Sequence, residues 1–445
     1  MAVDFPSSPS LNDTHTANGR TWIWNGSAWA VRGGLAGGTT SAPAGSDGQV
    51  QYNNGGTTGG ASNLYIDDTN SRVGIGTASP SVPLDVSGET NTTALKVNDE
   101  YMTPYTGRRN LLYNGAMQVA QRGTSSTGIT GIGYVTADRW RLAASTIGTY
   151  TNSVENDAPT GSGFAKSFKV LCTTADASPA SGDLLLIDQH LEGQDCQAIK
   201  KGTSAAEQLT LSFWVKSNVT GTYVAQLVDE DNNRVVSHAY TISSSDTWEK
   251  KVITFPADTS GALDNDNNAS LRPVFWLAAG STYTSGTLDS VWGDGSNAGN
   301  RAVGQVNLAS AVNNYWQVTG VQLEVGDKAT PFEHRSFGEE LALCKRYFFR
   351  CVDPAGVGVT DSVSRATRVL IPFNTEMRAV PTSSVSGTFN FWNGGSTGTA
   401  TALLLTVNNR FQGQLDFNGG VGSAGGTVTL YTNSGSQYID FAAEL

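Results

Sequence analysis

The sequence predicts an all-β chain, and three observations carry that prediction. Charged residues make up only 15% of the 445 positions while glycine alone supplies 51, a balance that suits many short strands and tight turns. Apolar residues recur in brief two-residue alternations broken by Gly, Pro, Asn and Asp, not in the 3.6-residue period of a helix. A single stretch, near residues 337–350, carries the start signals of a helix.

The elements follow in chain order. In residues 1–33, Trp22-Ile23-Trp24 and Trp29-Ala30-Val31 flank Asn25-Gly26-Ser27, a strong hairpin signal. So small a ribbon is marginal in water, which makes Trp22, Trp24 and Trp29 candidates for docking onto another protein; the plainer alternative is that the rings cover one another. Residues 34–107 are Gly-rich, with a second hairpin at Asn54-Gly55 in QVQYNNGG and then NLYIDD, SRVGIGTASPSVPLDVSG and TALKVN. One copy of this segment buries too little to offset its ordering entropy. It is expected to wind with identical chains about a shared axis, glycine allowing the close approach.

Residues 108–336 are denser in strands. FAKSFKVLC, DLLLIDQHL, EQLTLSFWVKS, GTYVAQLVD, RVVSHAYTI, TWEKKVITF, RPVFWLAAG and YWQVTGVQLEVG, separated by polar turns such as Asp231-Asn232-Asn233, predict an antiparallel sandwich. Ser336 as N-cap with Glu339 three residues on predicts a linking helix from Phe337 to about Arg350, with Leu341, Cys344 and Phe348 on one face. Residues 351–445 return to short strands, RVLIPFNTEM through QYIDFAAEL, and predict a small C-terminal β domain.

Catalytic chemistry finds little support. His15, His190, His238 and His334 form no metal-binding spacing and stand beside no nucleophile signature. GIGTAS lacks the Lys and the helix of a phosphate loop. Turns such as Asp264-Asn265-Asp266-Asn267 lack the pattern of a calcium loop and read as solvated. Paired carboxylates of a glycosidase need only meet in space and are not visible in a sequence. No cofactor and no metal are expected. The net charge of -11 without a basic cluster argues against nucleic acid. Cys172, Cys196, Cys344 and Cys351 match no disulfide scaffold and read as reduced thiols, in keeping with assembly in a cytoplasm. MAVDFPSSPS lacks the features of a classical export signal, and no apolar run is long enough for membrane insertion, so a soluble protein is expected.

Binding is better supported. In EQLTLSFWVKS, alternation sends Leu209, Leu211, Phe213 and Val215 inward and leaves Trp214 outside with Ser212 and Lys216. In YWQVTGVQLEVG the same rule buries Val321, Leu323 and Val325 and turns Trp316, Gln322 and Glu324 outward. Trp276, Tyr283 and Trp292, in a loop-rich stretch, complete the candidates. Flat rings beside amides and carboxylates suit sugars, which present apolar C–H patches and hydroxyls together; the competing account is that these rings fill a second core layer or a subunit interface.

FPSSPSLNDTHTANGRTWIWNGSAW, GSDGQVQYNNGG and VGIGTASPSVPLDVSG resemble the N-terminal modules of tailed-bacteriophage tail fibres. RRNLLYNGAMQVAQRG, YVTADRWRL and the closing VTGVQLEVGDKATPFEHRSFGEELALCKRYF resemble the carbohydrate-binding-like jelly-roll domain of such fibres, over residues 108–350. The resemblance implies an elongated homotrimer: an attachment hairpin, an intertwined shaft, a jelly-roll sandwich and a C-terminal tip or trimerising cap. It further implies a virion tail protein, not an enzyme, whose N-terminus meets other tail proteins and which adsorbs to a host cell-surface polysaccharide. The alternatives are a capsid-anchored head fibre or decoration protein, or a tailspike-like polysaccharide depolymerase.

Overall fold

Strands with alternate apolar residues each have one face to bury, and in residues 108–336 two antiparallel sheets bury theirs against each other. The computed structural model describes residues 3–31, 44–54, 57–88, 95–97, 100–102, 108–362, 365–392, 395, 397–399, 402–406, 409–418, 425–432 and 437–445. The chain divides into two units, residues 1–93 and 94–445.

In the first unit, Thr14–Ala17, Arg20–Trp24 and Trp29–Val31 form a three-stranded sheet. The predicted hairpin is present, with Asn25 Oδ1 accepting from the backbone of Ser27 (3.0 Å) and Ala28 (2.9 Å), and it gains a third strand. Gln49–Asn54, Thr57–Asp67, Arg72–Ile75 and Leu84–Val86 pair in a separate four-stranded sheet within one chain. Of its described residues only Gly74 and Pro80 are buried, while Tyr52, Ile66, Ile75, Val82 and Leu84 stay exposed. The sheet therefore pairs its backbone groups without building a core. Much of the expected shaft, including residues 32–43, 89–94 and 103–107, lies outside the described residues.

In the second unit, one sheet orders Ser125–Ile129, Thr149–Glu155, Ser167–Thr174, Tyr315–Val325, Leu209–Ser217 and Glu249–Phe255. The facing sheet runs Ile132–Tyr134, Arg141–Ser145, Leu184–Asp188, Ala269–Ala279, Gly221–Asp229, Arg234–Ile242 and Gly293–Asp294, with Leu191–Glu192 added beside Ala269–Ala279. The chain passes repeatedly from one sheet to the other, as in a jelly roll. Between the sheets lie Trp140, Tyr150, Phe168, Phe213, Phe275 and Trp316, all buried. Burial of each phenylalanine there is worth about 1.5–3 kcal/mol.

The strand Tyr315–Val325 is not regular. Ser212 pairs with Gln322 and Trp214 with Thr319, so Phe213 alone stands opposite Gly320 and Val321. This bulge reverses the inward parity along the strand. Trp316 and Val318 face the core before it, and Val321 and Leu323 after it. Gly320 has φ 61°, and a Cβ there would lie 2.5 Å from the Phe164 ring.

The helix begins where predicted, Ser336 accepting from the Glu339 backbone at 3.2 Å, but it spans Phe337–Lys345 and stops short of Arg350. Phe348–Val352 is instead a strand, paired with Tyr438–Ala442, which also pairs with Thr382–Ser386. Residues after 351 thus do not stand apart. A seven-stranded sheet and a core of Met377, Phe389, Phe391, Leu430 and Phe441 complete this region. Its junction with the sandwich is ionic: Glu444 accepts from Arg122 (2.9 Å) and from fully buried Arg139, whose guanidinium lies 3.5 Å over the Tyr347 ring. Arg346 holds buried Glu192 with two bonds, of 2.7 and 2.6 Å.

Two stability outcomes are expected. Gly320→Ala should cost about 1–3 kcal/mol, because a side chain must enter the left-handed region against an aromatic ring; an unchanged urea midpoint would refute the strain. Glu444→Ala should cost about 3–5 kcal/mol by stranding the Arg139 cation, read as a fall in thermal midpoint that Arg139→Met in the same chain partly restores.

Candidate functional site

The outer faces of the two sheets differ. Over the eight-stranded sheet, residues 281–306 lay down a second apolar layer in which Val224, Val235, Val274, Trp276 and Ala302 are buried and Tyr283 and Leu288 pack. Over the six-stranded sheet, the loops at residues 156–166 and 327–335 flank a cleft of about 320 Å³.

Strand parity supplies its floor. Trp214, partly exposed, sits on the outer face opposite Lys250 on one neighbour and Thr319 on the other. Ser162, Ser212 and Thr330 also line the space. One wall is aromatic: Phe164 meets Phe332 edge-on at 4.9 Å, and His334 lies 5.3 Å from Phe164 and 4.9 Å from Phe332. Because Gly320 has no side chain, the Phe164 ring can settle onto the strand itself. None of the residues lining the cleft is Asp or Glu.

Both loops are tied down by polar side chains. Asp157 accepts from Lys216, from Trp248 Nε1 at 3.3 Å and from Gln317 at 3.3 Å, with the Lys216 ammonium 5.1 Å over the Trp248 ring. Burial opposes the Asp157 charge, but the bonds from Lys216 and Trp248 outweigh it and hold the carboxyl below the usual carboxylate range. On the other side, Glu324 accepts from the Thr330 backbone (2.9 Å) and hydroxyl (2.5 Å), and Gln322 accepts from the Glu333 backbone (2.8 Å). The two buried side chains therefore fix the segment that carries Phe332 and His334.

Of the predicted sugar-contacting residues, only Trp214 lines this cleft. Trp316 is wholly buried between the sheets, because the bulge at Gly320 reversed its parity. Gln322 and Glu324 do lie on the outer face but are buried beneath the second loop, where they position it. Trp276 is buried in the second apolar layer, its ring 5.2 Å from that of Tyr283. Trp292 donates to Pro256 O at 2.8 Å and carries the Lys201 ammonium 4.9 Å above its ring. These four aromatics are not gathered in one site.

Phe164, Phe332, His334 and Lys250 were missed. The first three come from loops without periodicity; Lys250 shares the parity of Trp214 once the register is known. In the first unit, Trp22, Trp24 and Trp29 are partly buried: Phe5 stacks on Trp29 at 5.3 Å and meets Trp22 at 5.2 Å, and Trp24 lies 5.7 Å from Trp29. The rings cover one another in part, as the plainer reading had it. The four cysteines are unpaired. Among the described residues, no cluster of three or more His, Cys, Asp or Glu side chains is placed to hold a metal, and no helix is long and apolar enough to cross a membrane.

No protein-family model and no curated protein matches the chain. Solved structures similar to it include the enzymatically active domain of tailspike protein 4 of bacteriophage CBA120, at 15% identity and TM-score 0.27, covering 48% of this chain and 21% of that one. The TmCBM61 module in complex with β-1,4-galactotriose is similar at 10% identity and TM-score 0.26, over 49% of this chain and 99% of that one. A family 11 carbohydrate-binding module from Clostridium thermocellum, in complex with a β-1,3-1,4-mixed-linked tetrasaccharide, is similar at 12% identity and TM-score 0.24, over 46% and 98%.

A pH response follows from Asp157. Its folded carboxyl titrates below its unfolded one, so its stabilisation is complete above the unfolded value and is lost as pH falls through the folded one. Protection of the residue 156–166 amides against hydrogen exchange, relative to their intrinsic rates, should fall as pH drops below the ordinary Asp value of about 4, and Asp157→Asn should show the lowered protection throughout. Equal exchange in the two proteins at pH 5 would remove the anchoring role.

Proposed function

We propose that the chain is a glycan-binding fibre protein of a phage virion, with the cleft at Trp214 as the surface that meets the host. The observation that carries the binding reading is the combination in one cleft of an indole floor, an aromatic wall on anchored loops and the hydroxyl-bearing Ser162 and Ser212. An indole face packs against the C–H side of a pyranose, while the Ser162 oxygen, its proton given to Pro159 O, can accept from a sugar hydroxyl and Ser212 adds a second polar group to the floor. A cleft lined by no carboxylate favours binding over hydrolysis, which ordinarily employs two.

The fibre reading rests on the N-terminal resemblance and on the small core of the first unit. A homotrimer would supply three clefts, so weak single contacts become durable attachment by avidity. The half-covered Trp22, Trp24 and Trp29 are the surface for docking onto other tail proteins.

Trp214→Ala should weaken binding to a responsive bacterial polysaccharide by about tenfold or more, measured by affinity electrophoresis, with an unchanged far-UV spectrum. Trp292→Phe serves as the control outside the cleft. Unchanged retention in Trp214→Ala would reject the cleft. Gold-labelled antibody on intact particles separates tail from head attachment.

A further inference from the structure

We infer that the cleft selects an acidic glycan, one whose sugars carry a carboxylate, and that Lys250 reads that carboxylate. This rests on the glycan-binding reading of the same cleft.

Lys250 is exposed, lines the cleft and pairs across the sheet with Trp214. Two carboxylates from the surrounding elements, Glu249 beside it in sequence and Asp157 on the adjoining loop, are already engaged. Glu249 accepts from Lys251 at 2.5 Å and from the Ser243 and Ser244 backbone at 2.8 Å each. Asp157 is taken by Lys216, Trp248 and Gln317. Lys250 makes no ion pair or hydrogen bond among the described residues, so its ammonium is available to a ligand.

The surroundings reinforce the sign. Lys169, 4.7 Å over the Tyr315 ring, and Lys166, bonded to Asn156 at 2.8 Å, add positive charge on the same sheet and its loop. The whole chain carries -11, so its general field repels polyanions. A carboxylated polymer is therefore held by a local charge beside the indole or not at all. In this arrangement a hexuronate ring lies on Trp214 with its carboxylate toward Lys250. The proximity of an unpaired ammonium to a stacking ring gives discrimination between charged and neutral sugars more than raw affinity.

The test uses the full chain with polygalacturonate, alginate and hyaluronate, each beside its carboxyl-reduced form, in affinity electrophoresis. At least one acidic polymer should be retained about tenfold more strongly than its reduced form. Lys250→Gln should erase that difference and Lys250→Arg keep it. A sulfated, carboxyl-reduced polymer retained as strongly as the uronate would overturn the assignment to carboxylate. So would reduced polymers that bind equally well, or a preference that survives Lys250→Gln. If neutral polymers bind and Trp214→Ala abolishes it, the glycan reading stands and the acidic one falls. If no polymer binds through Trp214, both fall.

Discussion

One backbone step governs the sandwich: the extra residue at Gly320, which makes two positions of the central strand answer to one on its neighbour. A strand has only two faces, so a single inserted residue exchanges them for everything beyond it. The exchange lets Trp316 and Leu323 both reach the core although they differ in parity. It also leaves a shallow seat with no side chain on the outer face, which the Phe164 ring occupies. Core packing and cleft shape are thus two results of one irregularity.

The cleft is otherwise an arrangement of loops, and loops need fastening. Here the fasteners are polar and come from the sheet. Gln322 and Glu324 hold backbone groups of residues 330–333, and the Asp157 carboxylate is bonded by side chains from two strands and from Trp248. Buried acceptors are costly unless satisfied; Gln322 and Glu324 are satisfied by the segment they secure, and the loop's own Asp157 by donors from the sheet and Trp248. Over the other sheet residues 281–306 spread an apolar layer instead.

Strand identity from residue 164 onward was legible, since alternation of large apolar residues is a direct consequence of one buried face. The strands Ser125–Ile129 and Thr149–Glu155 were not, being polar and small at most positions. The parity of Leu209–Ser217, and with it Trp214, was read correctly because that strand is regular. Trp316 was misread because Gly320 looks in sequence like any strand glycine. Trp276 was misread because the irregular segment that follows its strand folds back over it, a return that no periodicity announces. The helix start at Ser336 was legible in its cap; its end was not, since Arg346 and Tyr347 are drawn away by Glu192, more than 150 residues earlier. Phe332 and His334 had no local signal.

The ionic junction at Glu444 also sets an order in time. Arg139 and Glu444 are 305 positions apart, so during synthesis the sandwich strands emerge long before the partner of their buried cation exists. Until the strand Tyr438–Ala442 slides between Phe348–Val352 and Thr382–Ser386, that cation must stay hydrated and its surroundings open. A ribosome that stalls before residue 444 therefore releases a protein in which the Arg139 cation lacks its carboxylate.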